Sequence, residues 1–263
     1  MEIISVKGLS KKFGNFIAVD KISFSVKEGS VFAFLGPNGA GKSTTIKMLT
    51  TLLVPTSGEL SITGLDVLKN KSEIRKIFGI VFQDPSLDDE LTAYENLEFH
   101  AALYSVPKDI RAKRIAAALD LVELADREDD FVKTFSGGMK RRLEIARGLI
   151  HHPKILFLDE PTLGLDPQTR NSLWEHVKQL NKEKNITIFF TTHYMPEAEQ
   201  MADKIAIIDH GKIIAQGTLS ELKKKTSSKT LEEAFLNLTG RDLREENATS
   251  LDRLRMRRKR FHL

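Results

Sequence analysis

The sequence predicts an α/β fold built on a parallel sheet whose strands are covered on both faces. Two observations carry this prediction. Short apolar segments typical of strands alternate along the chain with segments of helical character. Most of the clearest strand segments are almost entirely apolar, as expected of strands buried on both faces. These segments are residues 30–35, 154–158, 186–191 and 204–208.

The composition is that of an ordinary globular protein and excludes several classes of function. Of the 263 residues, 41% are hydrophobic and 29% are charged, which argues against wholesale disorder and coiled coils. There is no cysteine, so disulfide frameworks, thiolate metal sites and cysteine catalysis are excluded. Lysine and arginine number 40 against 36 acidic residues, a net charge of only +4, so no nucleic-acid partner is expected.

The N-terminal part of the chain departs from the parallel pattern. Residues 3–9 and 22–26 alternate between apolar and polar side chains, which is typical of strands with one solvated face. We therefore expect an antiparallel β-subdomain at the edge of the parallel core, with residues 58–63 as a further strand.

The most specific motif is a glycine-rich loop between an apolar strand and a helical segment. Its glycines let backbone N–H groups converge on phosphate oxygens, and the helix N-terminus adds positive potential. Lys42 is then expected to reach the β- and γ-phosphates and Ser43 to ligate Mg²⁺. An ordinary glycine-rich turn is disfavoured, because all fixed positions and both flanks match. The predicted phosphate-binding residues are Gly36, Pro37, Asn38, Gly39, Ala40, Gly41, Lys42, Ser43 and Thr44.

A helical region and a polar C-terminal region complete the domain prediction. Thr92 and Glu95 form a capping box that opens the helical region. We expect a helical subdomain at about residues 86–134, inserted into a main domain of residues 1–220. Residues 221–263 are polar and charged and are expected to form a C-terminal extension.

A second anion site is predicted at the start of a strongly helical stretch. Ser136 can cap this helix, and Gly137 and Gly138 leave its first N–H groups open to a ligand. A simple capped helix remains the alternative for this segment taken alone.

Two acidic residues follow the apolar segment at residues 155–158, at the end of a strand where α/β sheets bind ligands. Asp159 suits the coordination shell of Mg²⁺, and Glu160 suits polarisation of the attacking water. The roles are divided because a metal-bound oxygen is a poor base. A solvated acidic turn is the alternative for the pair alone, and the phosphate loop elsewhere in the chain disfavours it.

The loop, the Ser-Gly-Gly segment and the Asp-Glu strand, in this order, resemble the P-loop NTPases known as ATP-binding cassette (ABC) ATPases. The resemblance covers about residues 2–240 and implies ATP and Mg²⁺ as ligands. It implies that Gln83 links the metal and the lytic water to a transmembrane partner. It places Asp166 in the loop that crosses a dimer interface and His193 at the γ-phosphate. Phe13 would stack on adenine.

Each of these four residues also has an ordinary interpretation. Gln83 would be a surface residue and His193 a satisfied structural histidine. Phe13 would belong to the core. Asp166 fits a helix cap, which is compatible with its interface role.

Two features narrow the resemblance to one branch of the family. Met139 directly follows the Ser-Gly-Gly segment, at a position where glutamine is commoner in the family. Methionine cannot donate an amide hydrogen bond. Activity is still expected, because Ser136, Gly137 and Gly138 would supply the phosphate contacts. This variant and residues 231–240 resemble the ATP-binding subunits of daunorubicin-resistance-type exporters, whose membrane subunits are separate chains.

The function implied by the resemblance is ATP hydrolysis that powers a multi-subunit transporter, and the resemblance to that branch implies an exporter. Two subunits, as a homodimer or a pseudo-dimer with a homologous ATPase, would face head to tail. Each ATP would lie between Lys42 of one chain and Ser136 of the other. A catalytically inactive binding module is disfavoured because Lys42, Asp159, Glu160 and His193 are all present.

The sequence also bears on location and on the alternative function. No apolar run approaches the roughly 18 residues of a membrane span, and the first residues lack a signal-peptide pattern. We therefore expect a cytoplasmic chain, peripheral on the inner face of the cell membrane through separate transmembrane permease subunits. The alternative is a single-cassette ATPase without a transporter, such as an iron–sulfur assembly scaffold ATPase.

The C-terminal residues 251–263 carry six basic residues against a single acid, Asp252. One interpretation is a solvated, disordered end. The other is a basic arm that rests on anionic lipid or on the cytoplasmic face of the permease.

Overall fold

The computed structural model describes residues 1–240, and its central element is a six-stranded sheet. The strands are β1 (Glu2–Phe13), β2 (Phe16–Lys27), β3 (Val31–Leu35), β4 (Ser57–Ile62), β5 (Leu65–Asp66), β6 (Phe78–Val81), β7 (Ile155–Asp159), β8 (Thr187–Thr192), β9 (Lys204–Asp209) and β10 (Lys212–Gly217). The helices are α1 (Lys42–Leu49), α2 (Lys71–Arg75), α3 (Ala93–Leu103), α4 (Lys108–Leu121), α5 (Gly137–Leu149), α6 (Pro167–Lys184), α7 (Met195–Met201), α8 (Leu219–Thr226) and α9 (Leu231–Thr239). Short 3₁₀ turns lie at Ala125–Arg127 and Val132–Thr134.

The six-stranded main sheet has the order β10-β9-β3-β8-β7-β6 and confirms the predicted parallel core. Strands β9, β3, β8, β7 and β6 run parallel, and β10 pairs antiparallel at one edge. Every residue of β3, β7 and β8 is buried, as their apolar sequences predict. The register pairs Leu35 with Thr192 and Asp159 with Thr191. The carboxyl ends of these three strands therefore meet at one edge of the sheet, and the loops that follow them start side by side.

The predicted antiparallel layer is also present, as a second sheet of order β2-β1-β4-β5. Aromatic rings hold it to the main sheet. The ring centroid of Phe24 on β2 lies 5.4 Å from that of Phe32, 5.5 Å from that of Phe34 and 6.0 Å from that of Phe189. All four side chains are buried. Burial of each ring contributes about 1.5–3 kcal/mol, so this layer is an integral part of the core.

Helices α3 and α4 occupy the region predicted to be helical. The capping box is confirmed: Thr92 Oγ1 accepts from the Glu95 backbone N–H at 3.1 Å, and Glu95 Oε2 accepts from the Thr92 N–H at 2.8 Å. This region packs against α5 through Leu97 of α3 and Ile115 of α4. Both belong, with Leu143 of α5, to the core that covers the main sheet. The limits of a separate helical subdomain remain a prediction.

The last two helices, α8 and α9, pack on the main core. Leu222, Leu231 and Phe235 belong to the same cluster of buried side chains as the strands of the main sheet. The predicted division of the chain at residue 220 remains a prediction, and the basic arm at residues 251–263 lies outside the described residues. Within residues 1–240, no helix combines the length and the apolar character needed to cross a membrane.

Candidate nucleotide-binding site

The glycine-rich loop connects β3 to α1 at the carboxyl edge of the main sheet. Gly39 and Gly41 have φ of +78° and +106°, a region that side chains with a Cβ rarely adopt. A Cβ at Gly41 would also lie 2.6 Å from the carbonyl oxygen of Ala18. The two glycines are therefore required by the backbone path. The loop delivers Lys42 and Ser43 to the first turn of α1.

Lys42 is almost fully buried, with 4% of its surface exposed. Its Nζ donates to the carbonyl oxygens of Gly36 at 2.8 Å and Pro37 at 3.1 Å. It also forms an ion pair with Glu160 Oε1 at 2.9 Å. An ammonium has three N–H donors, so every donor of Lys42 has a partner within the chain. A phosphate that binds Lys42 must therefore displace at least one of these partners.

Asp159 ends β7 beside the loop. Its Oδ1 accepts from Thr191 Oγ1 at 2.6 Å and from Ser43 Oγ at 3.3 Å. A hydroxyl and a carboxylate oxygen this close suit the oxygen-only coordination of Mg²⁺. Residues 1–240 contain no group of three or more His, Asp or Glu side chains arranged to hold a metal by themselves. The Ser43–Asp159 pair is therefore suited to a cation that takes its remaining ligands from a bound molecule or from water.

Glu160 follows β7 in a left-handed backbone conformation, with φ of +46°. Such a conformation is uncommon for a residue with a side chain and must be held by its surroundings. The Glu160 N–H donates to the Thr191 carbonyl at 3.2 Å and to Thr191 Oγ1 at 3.0 Å. Its carboxylate lies between two basic side chains: Oε1 pairs with Lys42 Nζ at 2.9 Å, and Oε2 lies 3.0 Å from His193 Nδ1. Glu160 therefore joins the phosphate loop to the end of β8.

The Ser-Gly-Gly segment begins α5, as predicted. Ser136 caps the helix, and its Oγ accepts from the Met139 N–H at 3.2 Å. Within residues 1–240, Ser136 has no hydrogen bond to the phosphate loop or to the acidic pair. A Cβ on Gly138 would lie 2.4 Å from Thr169 Cγ2, whereas a Cβ on Gly137 would meet no atom of residues 1–240 within 4 Å. Gly138 is needed for packing against α6, and Gly137 faces open space.

The remaining predicted residues lie at the surface. Gln83 is exposed just after β6. Asp166 caps α6 and accepts from the Thr169 N–H at 3.0 Å and from Thr169 Oγ1 at 2.6 Å. These bonds hold the pKa of Asp166 below its ordinary value. Phe13 lies at the tip of the β1–β2 hairpin and is 49% exposed, so it is not a core residue. Lys11 Nζ covers one face of its ring, 5.1 Å from the centroid.

The structure thus brings one group of predicted residues into direct contact and leaves the others apart. The contacting group is Lys42, Ser43, Asp159, Glu160 and His193. The surface group is Phe13, Gln83, Ser136 and Asp166, and within residues 1–240 none of its members hydrogen-bonds to the first group.

Three buried charged residues beside the site were not predicted from the sequence: Arg141, Glu144 and Glu197. Glu197 on α7 accepts hydrogen bonds from Thr162 Oγ1 and, at 2.5 Å, from Thr192 Oγ1. It thereby ties the chain after β7 to the end of β8. In the sequence it looks like a favourable acid in the first turn of a helix, so nothing marks it as buried.

Comparisons with a protein family, with individual proteins and with solved structures give clear matches. Residues 19–163 match the protein family described as ABC transporter. The chain is 43% identical over 229 residues to the linearmycin resistance ATP-binding protein of Bacillus subtilis, covering 87% of this chain and 73% of that one. It is 44% identical over 228 residues to the daunorubicin/doxorubicin resistance ATP-binding protein of Streptomyces peucetius, covering 87% of this chain and 69% of that one.

Solved structures show the same likeness. A structure described as the ATP-binding subunit of an ABC transporter superposes with a TM-score of 0.82 at 32% identity, over 90% of this chain and all of that one (100%). A dimeric ATP-binding cassette in a post-hydrolysis state, bound to ADP and Pi, superposes with a TM-score of 0.74 at 29% identity. That match covers 82% of this chain and 98% of that one.

Proposed function

The chain belongs to the ABC transporter family as an ATP-binding subunit, and we propose that the contacting group at the sheet edge hydrolyses ATP to power an exporter. One observation carries the assignment of residues. Glu160 pairs with Lys42 at 2.9 Å and contacts His193 at 3.0 Å. The Ser43–Asp159 pair lies beside them. A cation for phosphate, oxygen ligands for a metal and a carboxylate base are thus held in one place.

The contacts suggest how ATP prepares the base. The phosphate oxygens take donors of Lys42, because together they carry more negative charge than either the carbonyls or the single carboxylate that hold it in the free chain. The Lys42–Glu160 pair then opens, and Glu160 Oε1 becomes available to accept a proton from the attacking water. His193 stays beside Oε2 and is placed to contact the γ-phosphate.

Mg²⁺ would be held by Ser43, Asp159 and Gln83. When bound, Mg²⁺ neutralises charge on the phosphate oxygens. The chain keeps the two carboxylates in separate roles: Asp159 Oδ1 is anchored by Thr191, whereas both oxygens of Glu160 face ionisable side chains.

The surface group fits a site shared between two chains. Phe13 offers one ring face to adenine. The N-terminus of α5, at Ser136, Gly137 and Gly138, would bind the ATP of a facing subunit. Asp166 lies in the loop that would cross the interface between the two subunits. The open space at Gly137 supports this role, since nothing in the described residues 1–240 needs a glycine there.

Export is supported by the relatives, whose names are those of drug-resistance and Nod factor export ATP-binding proteins. We propose that the chain drives separate transmembrane permease subunits from the inner face of the membrane. No observation favours an iron–sulfur scaffold ATPase instead.

The first test is phosphate release by the purified chain with Mg-ATP. Lys42→Ala should lower turnover at least a hundredfold, because the charge that neutralises the γ-phosphate is lost. Lys47→Ala is the matched control: it removes an exposed lysine from the same helix, and it should leave turnover unchanged. Turnover in Lys42→Ala like that of the parent would contradict the proposed site.

The second test concerns transport. The tagged chain should co-purify from detergent-solubilised membranes with a partner that contains transmembrane segments. Recovery of the chain with a soluble iron–sulfur assembly complex instead would favour the scaffold alternative.

A further inference from the structure

Arg141 on α5 holds the backbone that carries the two catalytic carboxylates. Its guanidinium has five N–H donors in one plane. Nε donates to the Pro161 carbonyl at 2.6 Å, and Nη2 donates to the carbonyls of Asp159 at 3.2 Å and Glu160 at 3.1 Å. Three consecutive carbonyls are therefore fixed by one rigid group. The middle one belongs to Glu160, whose left-handed conformation needs such support.

The other two donors of Arg141 reach the segment that carries Gln83. Nη1 donates to the carbonyl of Phe82 and, at 2.9 Å, to Glu144 Oε2. Glu144 continues the chain of contacts: its Oε1 accepts from the Ser86 N–H at 2.8 Å and from Ser86 Oγ at 3.3 Å. Both ends of residues 82–86 are therefore tied to α5.

This link is buried where it meets the carboxylates and exposed where it meets the loop. Glu144 is 1% exposed and Arg141 7%, whereas Ser86 and Gln83 lie at the surface. Burial lowers the pKa of Arg141, and Glu144 opposes that shift, so the two charges depend on each other. All five donors of Arg141 are used. A shift of residues 82–86 must therefore either break one of its hydrogen bonds or move the guanidinium.

We propose that Arg141 and Glu144 are positioning residues that set the orientation of Glu160 according to the position of residues 82–86. This inference rests on the proposed ATPase function, in which Gln83 faces the transmembrane partner. A movement of the loop shifts the Phe82 carbonyl and Ser86. The planar guanidinium then turns as a unit and changes the backbone at Glu160.

Arg141→Lys tests the link, because lysine keeps the charge but has neither the planar fork nor five donors. Turnover should fall at least tenfold. The dissociation constant of a non-hydrolysable ATP analogue should stay within about twofold, because the phosphate loop is unchanged. Arg142→Lys is the matched control. Arg142 contacts the Val122 carbonyl and Glu123, away from the carboxylates, and its turnover should not change.

A probe on the loop supplies a readout besides turnover. Because the chain has no cysteine, Asp84→Cys introduces a single labelling site for an environment-sensitive dye on the exposed segment. Binding of the analogue should change the dye signal in the labelled Asp84→Cys chain, which is the parent for this test, and in the same chain with Arg142→Lys. It should give no change when Arg141→Lys is added instead.

Glu144→Gln keeps the proposal testable if Arg141→Lys folds poorly. It has the same shape, but its NH₂ group faces one of the donors that the carboxylate accepted, so the link is cut on one side. Turnover and the dye response should both fall, with affinity for the analogue retained.

Three results would overturn the link. They are unchanged turnover and dye response in Arg141→Lys, equal losses of analogue affinity and turnover, or a parent whose dye does not respond to the analogue. A parent that binds the analogue without hydrolysing ATP would contradict the proposed function instead, and the dye response would still decide the link.

Discussion

Replacing Glu160 by Gln should stop hydrolysis and, at the same time, tighten the binding of ATP. The structure gives the reason. In the free chain Glu160 competes with ATP for Lys42, since its Oε1 occupies one of the three donors at 2.9 Å. Glutamine retains the shape and one acceptor oxygen but loses the negative charge. ATP then displaces a weaker partner.

The size of the effect follows from the burial of the pair, whose side chains are 4% and 7% exposed. Lys42 stays charged in the variant, so its bond to the glutamine oxygen is still charge-assisted, and only the attraction between the two charges is lost; we take the resulting difference as about 1 kcal/mol, because the cost of desolvating the Glu160 carboxylate is lost with it. The difference of about 1 kcal/mol corresponds to a roughly fivefold lower dissociation constant. The free variant should be less stable to unfolding by a similar amount, about 1 kcal/mol, because its Lys42 is less well paired. Turnover should fall by about 10²–10⁴ through loss of the base.

The assay is the dissociation constant of Mg-ATP by calorimetry, with phosphate release measured in parallel. Glu197→Gln is a matched control, since it neutralises another buried glutamate at the same sheet edge that does not contact Lys42. Its dissociation constant should not change. In a Lys42→Met background Glu160→Gln should give no gain. An unchanged or weaker affinity in the single variant, or the same gain without Lys42, would refute the competition.

Three further predictions concern separate parts of the molecule. Gly137→Ala should leave the unfolding transition unchanged but lower turnover at least tenfold, because its Cβ meets only open space where the facing chain's ATP would bind; Gly138→Ala should instead destabilise the chain by about 1–3 kcal/mol, because its Cβ would overlap α6. Phe13→Ala should weaken ATP binding by about 1–3 kcal/mol and Phe13→Trp should not, as titration with ATP would measure. Burial lowers the pKa of His151 from 6.5 to about 4, so it stays neutral when folded and gains a proton on unfolding in mild acid. Its stability contribution is thus present above pH 6.5 and lost as the pH falls toward 4; between pH 7 and pH 5, denaturant titration should show His151→Phe losing about 2 kcal/mol less than the parent.

The sequence was sufficient for the parts of the site whose geometry is local. The glycine-rich loop needs its glycines for backbone conformations that the chain adopts within a few residues, as Gly39 and Gly41 do. The capping residues Thr92 and Ser136 act within one helical turn. The convergence of the loop with Asp159 also follows from a general rule, that parallel strands end at one edge of a sheet.

The sequence was insufficient where side chains depend on distant parts of the chain. Arg141 lies between Lys140 and Arg142 in a basic run that looks like the solvated face of a helix. Only the packing of α5 on the main sheet turns Arg141 inward. Its guanidinium then reaches the carbonyls of Asp159 and Pro161, which lie 18 and 20 positions later in the chain. The ion pair of Lys42 with Glu160 could not be predicted either, because the motif describes the loop with nucleotide bound.

Hydrolysis of ATP between Lys42 of one chain and Ser136 of another can be tested with a mixed dimer. Lys42→Ala and Ser136→Ala chains are purified separately with different tags, combined, and the mixed species is isolated with Mg-ATP. One of its sites carries both substitutions and the other carries neither. We expect phosphate release well above that of either variant alone. Activity no higher than that of the single variants would contradict the shared site.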